Sequence, residues 1–129
     1  MQPQKTYTPS EQVFFPDHRK IKKDLVKLAN LALKKDPKII AIYLFGSRAT
    51  GNFSARSDAD LLIVLREDSR RPMDRIPDYL KLFLKSPVPV EVFPYTEQEI
   101  LEIPFAARAL KNGVLIESSH NKNKKAAHL

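Results

Sequence analysis

Ile39-Ile40-Ala41-Ile42-Tyr43-Leu44-Phe45-Gly46-Ser47, then ten residues, then Asp58-Ala59-Asp60-Leu61-Leu62-Ile63-Val64-Leu65: the rest of the chain is read outward from this stretch. Each half holds a continuous, partly β-branched apolar run without polar alternation, the pattern of a strand buried on both faces. The polar segment between them contains Gly46 and Gly51, two of the three glycines in the chain. Asp58 and Asp60 stand two apart at the start of the second run, so on a strand they point to the same face.

Upstream, residues 1–16 contain Pro3, Pro9 and Pro16 with little periodicity and read as an extended arm, anchored by Val13, Phe14 and Phe15. Asp17 is suited to cap a helix that runs to about Lys35 and ends at Asp36-Pro37. Ile21, Leu25, Leu28 and Ala32 recur on one face of that helix, with Lys20, Lys23, Lys27 and Lys34 opposite. Downstream, Arg70-Arg71-Pro72 opens a connection, and Ile76, Tyr79, Leu80, Phe83 and Leu84 follow at helical spacing. Pro77 fits that helix in its first turn. Val88 to Phe93 is a third strand, with Pro89 marking an edge. Thr96-Glu97-Gln98-Glu99 has the form of a capping box, and the helix it opens should break at Pro104 and stop at Asn112-Gly113. Val114-Leu115-Ile116 adds a short last strand. Helices and strands alternate, so the class is α/β (α+β): one domain over residues 17–118, with a small mixed β-sheet flanked by helices. Residues 119–129 read as a disordered basic tail.

Length and composition agree with this. At 129 residues the chain makes one domain with a core of its own. It has no cysteine, which excludes disulfides, thiolate metal sites and cysteine nucleophiles. No apolar run approaches the roughly 18–20 residues of a membrane span, and Met1-Gln2-Pro3-Gln4-Lys5 does not open like a secretion leader. A soluble cytoplasmic protein, with no membrane partner, is the expectation. The net charge of +7 favours an anionic partner. Much of it lies in the tail and in the seven basic residues between Arg19 and Lys35. There a solvated outer helix face competes with a nucleic-acid footprint, and no aromatic residues interleave with the lysines to form a stacking platform. His18, His120 and His128 have no mutual metal spacing.

The chemistry concentrates between residues 46 and 60. A glycine and a serine directly after a buried strand let backbone amides and a hydroxyl approach phosphate oxygens, and Arg48 beside them adds a fork of donors. Two carboxylates on one strand face repel each other unless cations neutralise them. Mg²⁺ does so with one or two carboxylates, completing its shell from water and substrate phosphate. Gly46 and Gly51 also have the glycine spacing of a P-loop. That motif then needs Lys and Ser/Thr, and Asn52 and Phe53 stand there instead.

Gly46-Ser47, ten residues and then Asp58-x-Asp60, with Arg48 and Ser57 in place, resembles the nucleotidyltransferase signature of the DNA polymerase β superfamily. Within it the chain is most similar to the small stand-alone minimal nucleotidyltransferases, antitoxin-type partners of HEPN-domain proteins. The resemblance implies the nucleotidyltransferase fold, with Gly46, Ser47 and Arg48 at the triphosphate of an NTP, ATP by expectation. Asp58 and Asp60 would bind two Mg²⁺ ions. A third carboxylate on a later strand would complete the metal site and help to activate the acceptor hydroxyl. Glu91 stands at that place, where many relatives have Asp. Ser57 would contact the nucleotide or brace the loop. The acceptor implied is a HEPN toxin modified on a tyrosine, and association into an oligomer is compatible with it.

Other readings stay open at this stage. Asp58 and Asp60 can be a polar strand start, and Glu91 an exposed edge-strand acid. The whole chain can be a nucleotide-binding module that neutralises its partner without turnover, or a nucleic-acid-binding protein that uses its basic helix and tail.

Overall fold

The computed structural model describes residues 18–50 and 58–119. The arm placed at residues 1–16, the cap assigned to Asp17, Ser57 and nearly all of the tail lie outside the described residues. Among the described residues, no helix is long and apolar enough to cross a membrane.

Helix α1 spans His18–Lys35, strand β1 Ile39–Phe45, and a single turn, α2, Ser47–Thr50. Strand β2 is Ala59–Leu65 and helix α3 Pro72–Leu80, followed by a 3₁₀ turn over Lys81–Phe83. Strand β3 is Val90–Thr96, helices α4 and α5 are Glu97–Glu102 and Pro104–Asn112, and β4 is Val114–Ser118. The four strands form one mixed sheet in the order β3-β2-β1-β4. β1 pairs antiparallel with β2 and β4, and β2 pairs parallel with β3.

Helices cover both faces. Alternate strand residues Ile42, Leu44, Leu61, Ile63, Leu65 and Val92 pack against Ile21, Leu25, Ala29, Ala32 and Leu33 of α1, with Tyr79 and Phe83 completing the layer. The opposite set, Ala41, Leu62 and Val64, packs with Ile100, Ala106 and Ala109 of α4 and α5. This explains the unbroken apolar runs of β1 and β2, since neither face meets water. The buried stripe of α1 is rotated slightly from the expected one: Ala29 and Leu33 are fully buried, while Leu28 is half-buried. Lys20, Lys23, Lys27 and Lys34 are exposed, as their spacing requires.

Two proline assignments need correction. Pro72 begins α3 instead of opening a connection, because a first-turn proline lacks an amide the helix would not use. Pro77 therefore lies beyond the first turn. It removes the hydrogen bond to the Met73 carbonyl, and Met73 is 74% exposed, so water can solvate that group. Leu84 follows the helical spacing but lies past the 3₁₀ turn and is exposed. The third strand runs Val90–Thr96, not Val88–Phe93, and contains Pro94. Among the described residues β3 bonds only to β2 and leaves its other side unpaired, which is where a sheet tolerates proline.

One end of the sheet is locked by Arg75, a fully buried guanidinium on α3. It donates to Glu99 (2.7 and 3.0 Å), to the Pro94 carbonyl (3.0 Å) and to the Asp68 carbonyl (2.9 Å), and also to the Arg70 carbonyl. Glu99 in turn completes the capping box: its carboxylate accepts from the Thr96 amide (2.8 Å), and the Thr96 hydroxyl accepts from the Glu99 amide (3.2 Å). Hydrogen bonds from Arg70, and the charge of Lys38, hold the Asp68 carboxyl well below the usual carboxylate range; Arg75 does the same for Glu99. Replacing Arg75 by Met strands these acceptors and should cost about 3 kcal/mol in urea unfolding at pH 7. Thr96→Ala, which removes only one cap, should cost about 1 kcal/mol. Depressed folded-state pKa values contribute stability above the unfolded value of about 4, and that contribution disappears as pH falls. The Arg75→Met penalty should therefore shrink on acidification. A penalty independent of pH would show that the ion pairs contribute nothing.

Candidate active site

The opposite end of the sheet collects the end of β1 and the starts of β2 and β3. β1 leaves through Gly46, whose φ of +77° is rarely accessible to other residues. A Cβ built there would lie 2.5 Å from Asp60 Oδ2. Glycine is thus required twice at one position: for the left-handed turn, and because the Asp60 carboxylate lies against the backbone. The turn passes directly into α2, with the Ala49 amide donating to the Gly46 carbonyl (3.1 Å).

Register sets the neighbours of Asp60. In the antiparallel pair it stands opposite Phe45, and in the parallel pair opposite Glu91. Opposed residues project to the same sheet face, so Asp60, Glu91 and Phe45 share the face covered by α4 and α5. Burial first, then the charges of Glu91 and Asp58, raise the Asp60 pKa above the ordinary carboxylate value, with a hydrogen bond to Glu91 acting in the same direction. Asp58 and Glu91 are exposed and Asp60 is half-buried. Arg48 is fully buried: desolvation lowers its pKa, and the charge of Asp58 opposes that shift.

Among the described residues, no group of three acid or imidazole side chains is placed to hold a metal ion. The donors nevertheless fit a hard divalent ion that takes only one or two protein carboxylates and its remaining oxygens from substrate and water. Burial and the neighbouring charges of Glu91 and Asp58 disfavour a bare Asp60 carboxylate, a cost that a cation would relieve.

The structure brings Gly46, Ser47, Asp58, Asp60 and Glu91 to one end of the sheet. It places Arg48 beneath the turn as a buried side chain within electrostatic reach of Asp58, and Ser57 lies outside the described residues. The lysine face of α1 is on the other side of the sheet from the carboxylates. An aromatic cluster lies beside Asp60 that the apolar run ending at Phe45 does not by itself reveal. Phe45, Phe93 and Phe105 form a triangle with ring centroids 5.2–5.7 Å apart. Only the alternation of Phe45 and Phe93 on their strands hinted at it. A larger groove, about 770 Å³, lies at the far end among Lys38, Arg66, Asp68 and Arg70 and does not touch the carboxylates.

The family description "Polymerase beta, Nucleotidyltransferase" matches residues 27–122, which include every element from the second half of α1 to β4. The chain belongs to this family. Its nucleotidyltransferase fold is also that of a crystal structure from Sulfolobus solfataricus, a protein described as a "putative nucleotidyltransferase". The two share 20% identity over 78% of this chain and 83% of that one, with a TM-score of 0.61, a likeness of fold alone. No curated protein matches the chain.

Two predictions follow from how this nucleotidyltransferase packs Gly46 against Asp60. Gly46→Ala should destabilise by about 2 kcal/mol through the left-handed turn and the clash. Adding Asp60→Ala should restore the clash component but not the turn component, and a double-mutant cycle measures the coupling. Purely additive losses would refute the close approach. For Asp60 alone the linkage sign is opposite to that of Glu99. A folded-state pKa above the unfolded value of about 4 costs stability at neutral pH, and that cost fades as pH falls. Without metal, Asp60→Asn should therefore melt above the wild type at pH 7 and lose that advantage below about pH 4. Mg²⁺ should raise the melting temperature of the wild type more than that of the variant.

Proposed function

We propose that this protein transfers a nucleoside monophosphate, AMP from ATP by preference, to an acceptor hydroxyl with release of pyrophosphate. The observation that carries the reading is the meeting of the Gly46 turn, Asp60 and Glu91 at one end of the sheet in a chain of this family. The Gly46-Ser47 backbone and the Ser47 hydroxyl bind the triphosphate. Asp58 and Asp60 hold Mg²⁺, with Glu91 as the third carboxylate. The ions, when bound, neutralise charge on the attacking and leaving oxygens of an in-line displacement. Glu91, exposed at the start of an edge strand, takes the proton of the acceptor hydroxyl. Arg48 offsets the charge of Asp58 from below and adds positive potential under the phosphates.

We take the acceptor hydroxyl to be presented by another macromolecule, as the resemblance to the minimal nucleotidyltransferases implies. We take it to be a HEPN-domain partner, with this chain in the antitoxin role.

Incubation with α-labelled ATP, Mg²⁺ and partner or lysate should transfer label, whereas γ-labelled ATP should transfer none. Asp58→Asn and Asp60→Asn should each lower the rate by about 10²-fold or more, and Glu91→Gln by a comparable factor. Transfer that survives Asp60→Asn, or stays absent with every acceptor fraction, would sink the reading.

A further inference from the structure

Beside the carboxylates is a cavity of about 250 Å³ lined by Phe45, Gly46, Phe105, Arg108, Ala109 and Asn112. The last four recur at i, i+3, i+4 and i+7 and so form one face of α5. Gly46 is the residue whose backbone touches Asp60, and Phe45 is the cross-strand partner of Asp60. The cavity therefore opens about one strand spacing, ~5 Å, from the acid cluster. Its floor is aromatic. Phe105 packs on Phe45 (5.7 Å) and Phe93 (5.3 Å) yet remains 38% exposed, so part of its ring is open to a ligand. Ala109 is small and buried and leaves space beside that ring. Arg108 and Asn112 stand exposed at the rim.

We infer that this groove is the base subsite of the nucleotide and that it selects a purine; the inference rests on the nucleotidyl-transfer reading of the neighbouring site. A cavity of this size suits one flat ring system with its sugar, the part of a nucleotide that must lie beyond a triphosphate held at Gly46 and Ser47. Open aromatic rings bind bases by stacking, and a fused purine offers the larger face. The rim chemistry points the same way. Arginine pairs with O6 and N7 of guanine, asparagine with N6 and N7 of adenine, and pyrimidines have no N7.

The test is calorimetric titration of the full chain with Mg²⁺, using α,β-methylene ATP, the corresponding uridine analogue and inorganic triphosphate. The purine analogue should bind about tenfold more tightly than the uridine one. Phe105→Leu and Asn112→Ala should each remove most of that difference while leaving the affinity for inorganic triphosphate unchanged. Asn112 is exposed, so its variant keeps the test decisive if Phe105→Leu impairs folding. Equal binding of the two analogues, or purine affinity unchanged in Asn112→Ala and in folded Phe105→Leu, overturns the base subsite while the transfer reading stands. Failure of the wild type to bind any of the three ligands overturns both. An effect of Phe105→Leu confined to acceptor KM would assign the groove to the acceptor and also overturn the proposal.

Discussion

Strand register is the constraint from which the rest of this site follows. Because β2 pairs with β1 on one side and β3 on the other, a single residue, Asp60, acquires Phe45 and Glu91 as direct cross-strand neighbours. A slip of one residue in either ladder would turn those side chains to the α1 face, where Leu44, Leu61 and Val92 now fill the core. The same apolar residues that exclude the slip thereby hold two carboxylates and an aromatic ring on the α5 side. Core packing and site geometry are here one set of contacts, seen from the two faces of the sheet.

The two ends of the sheet have opposite electrostatic character. At the end formed by Leu65 and Thr96, carboxylates are neutralised by buried and half-exposed guanidinium groups, and the hydrogen-bond network is dense. At the end formed by Phe45 and Asp60, carboxylates meet one another, and the Arg48 guanidinium beside Asp58 is itself desolvated. Paired charge is concentrated at the first end, whereas at the second the Asp60 carboxyl lies within reach of two other acids.

Much of this was legible in the residues. The bounds of β1 follow from seven uninterrupted apolar residues, and the start of α4 from the reciprocal Thr96–Glu99 cap. The Gly46-Ser47 and Asp58-x-Asp60 spacing and, by family resemblance, Glu91 singled out elements that do meet at one end of the sheet. What could not be read locally depended on partners distant in sequence. Pro94 is acceptable only because β3 turns out to be an edge, and Pro77 only because the residue it leaves unbonded, Met73, is exposed. Arg75 looks like any helix charge until the chain folds Glu99 and Pro94 around it. Phe105 likewise comes to lie against Phe45 only when α5 packs across the end of β1.

The sheet order also distinguishes how firmly the carboxylates are mounted. Asp60 rides on a strand hydrogen-bonded along both sides, whereas Glu91 rides on one bonded along a single side. Strands held on both sides open less readily than those held on one. The site is thus built like a vice with one fixed jaw and one that yields. Asp60 is held in place from both sides, and Glu91 can shift with the edge strand that carries it. An edge strand, usually a liability to be hidden, here carries the less firmly mounted of the two carboxylates.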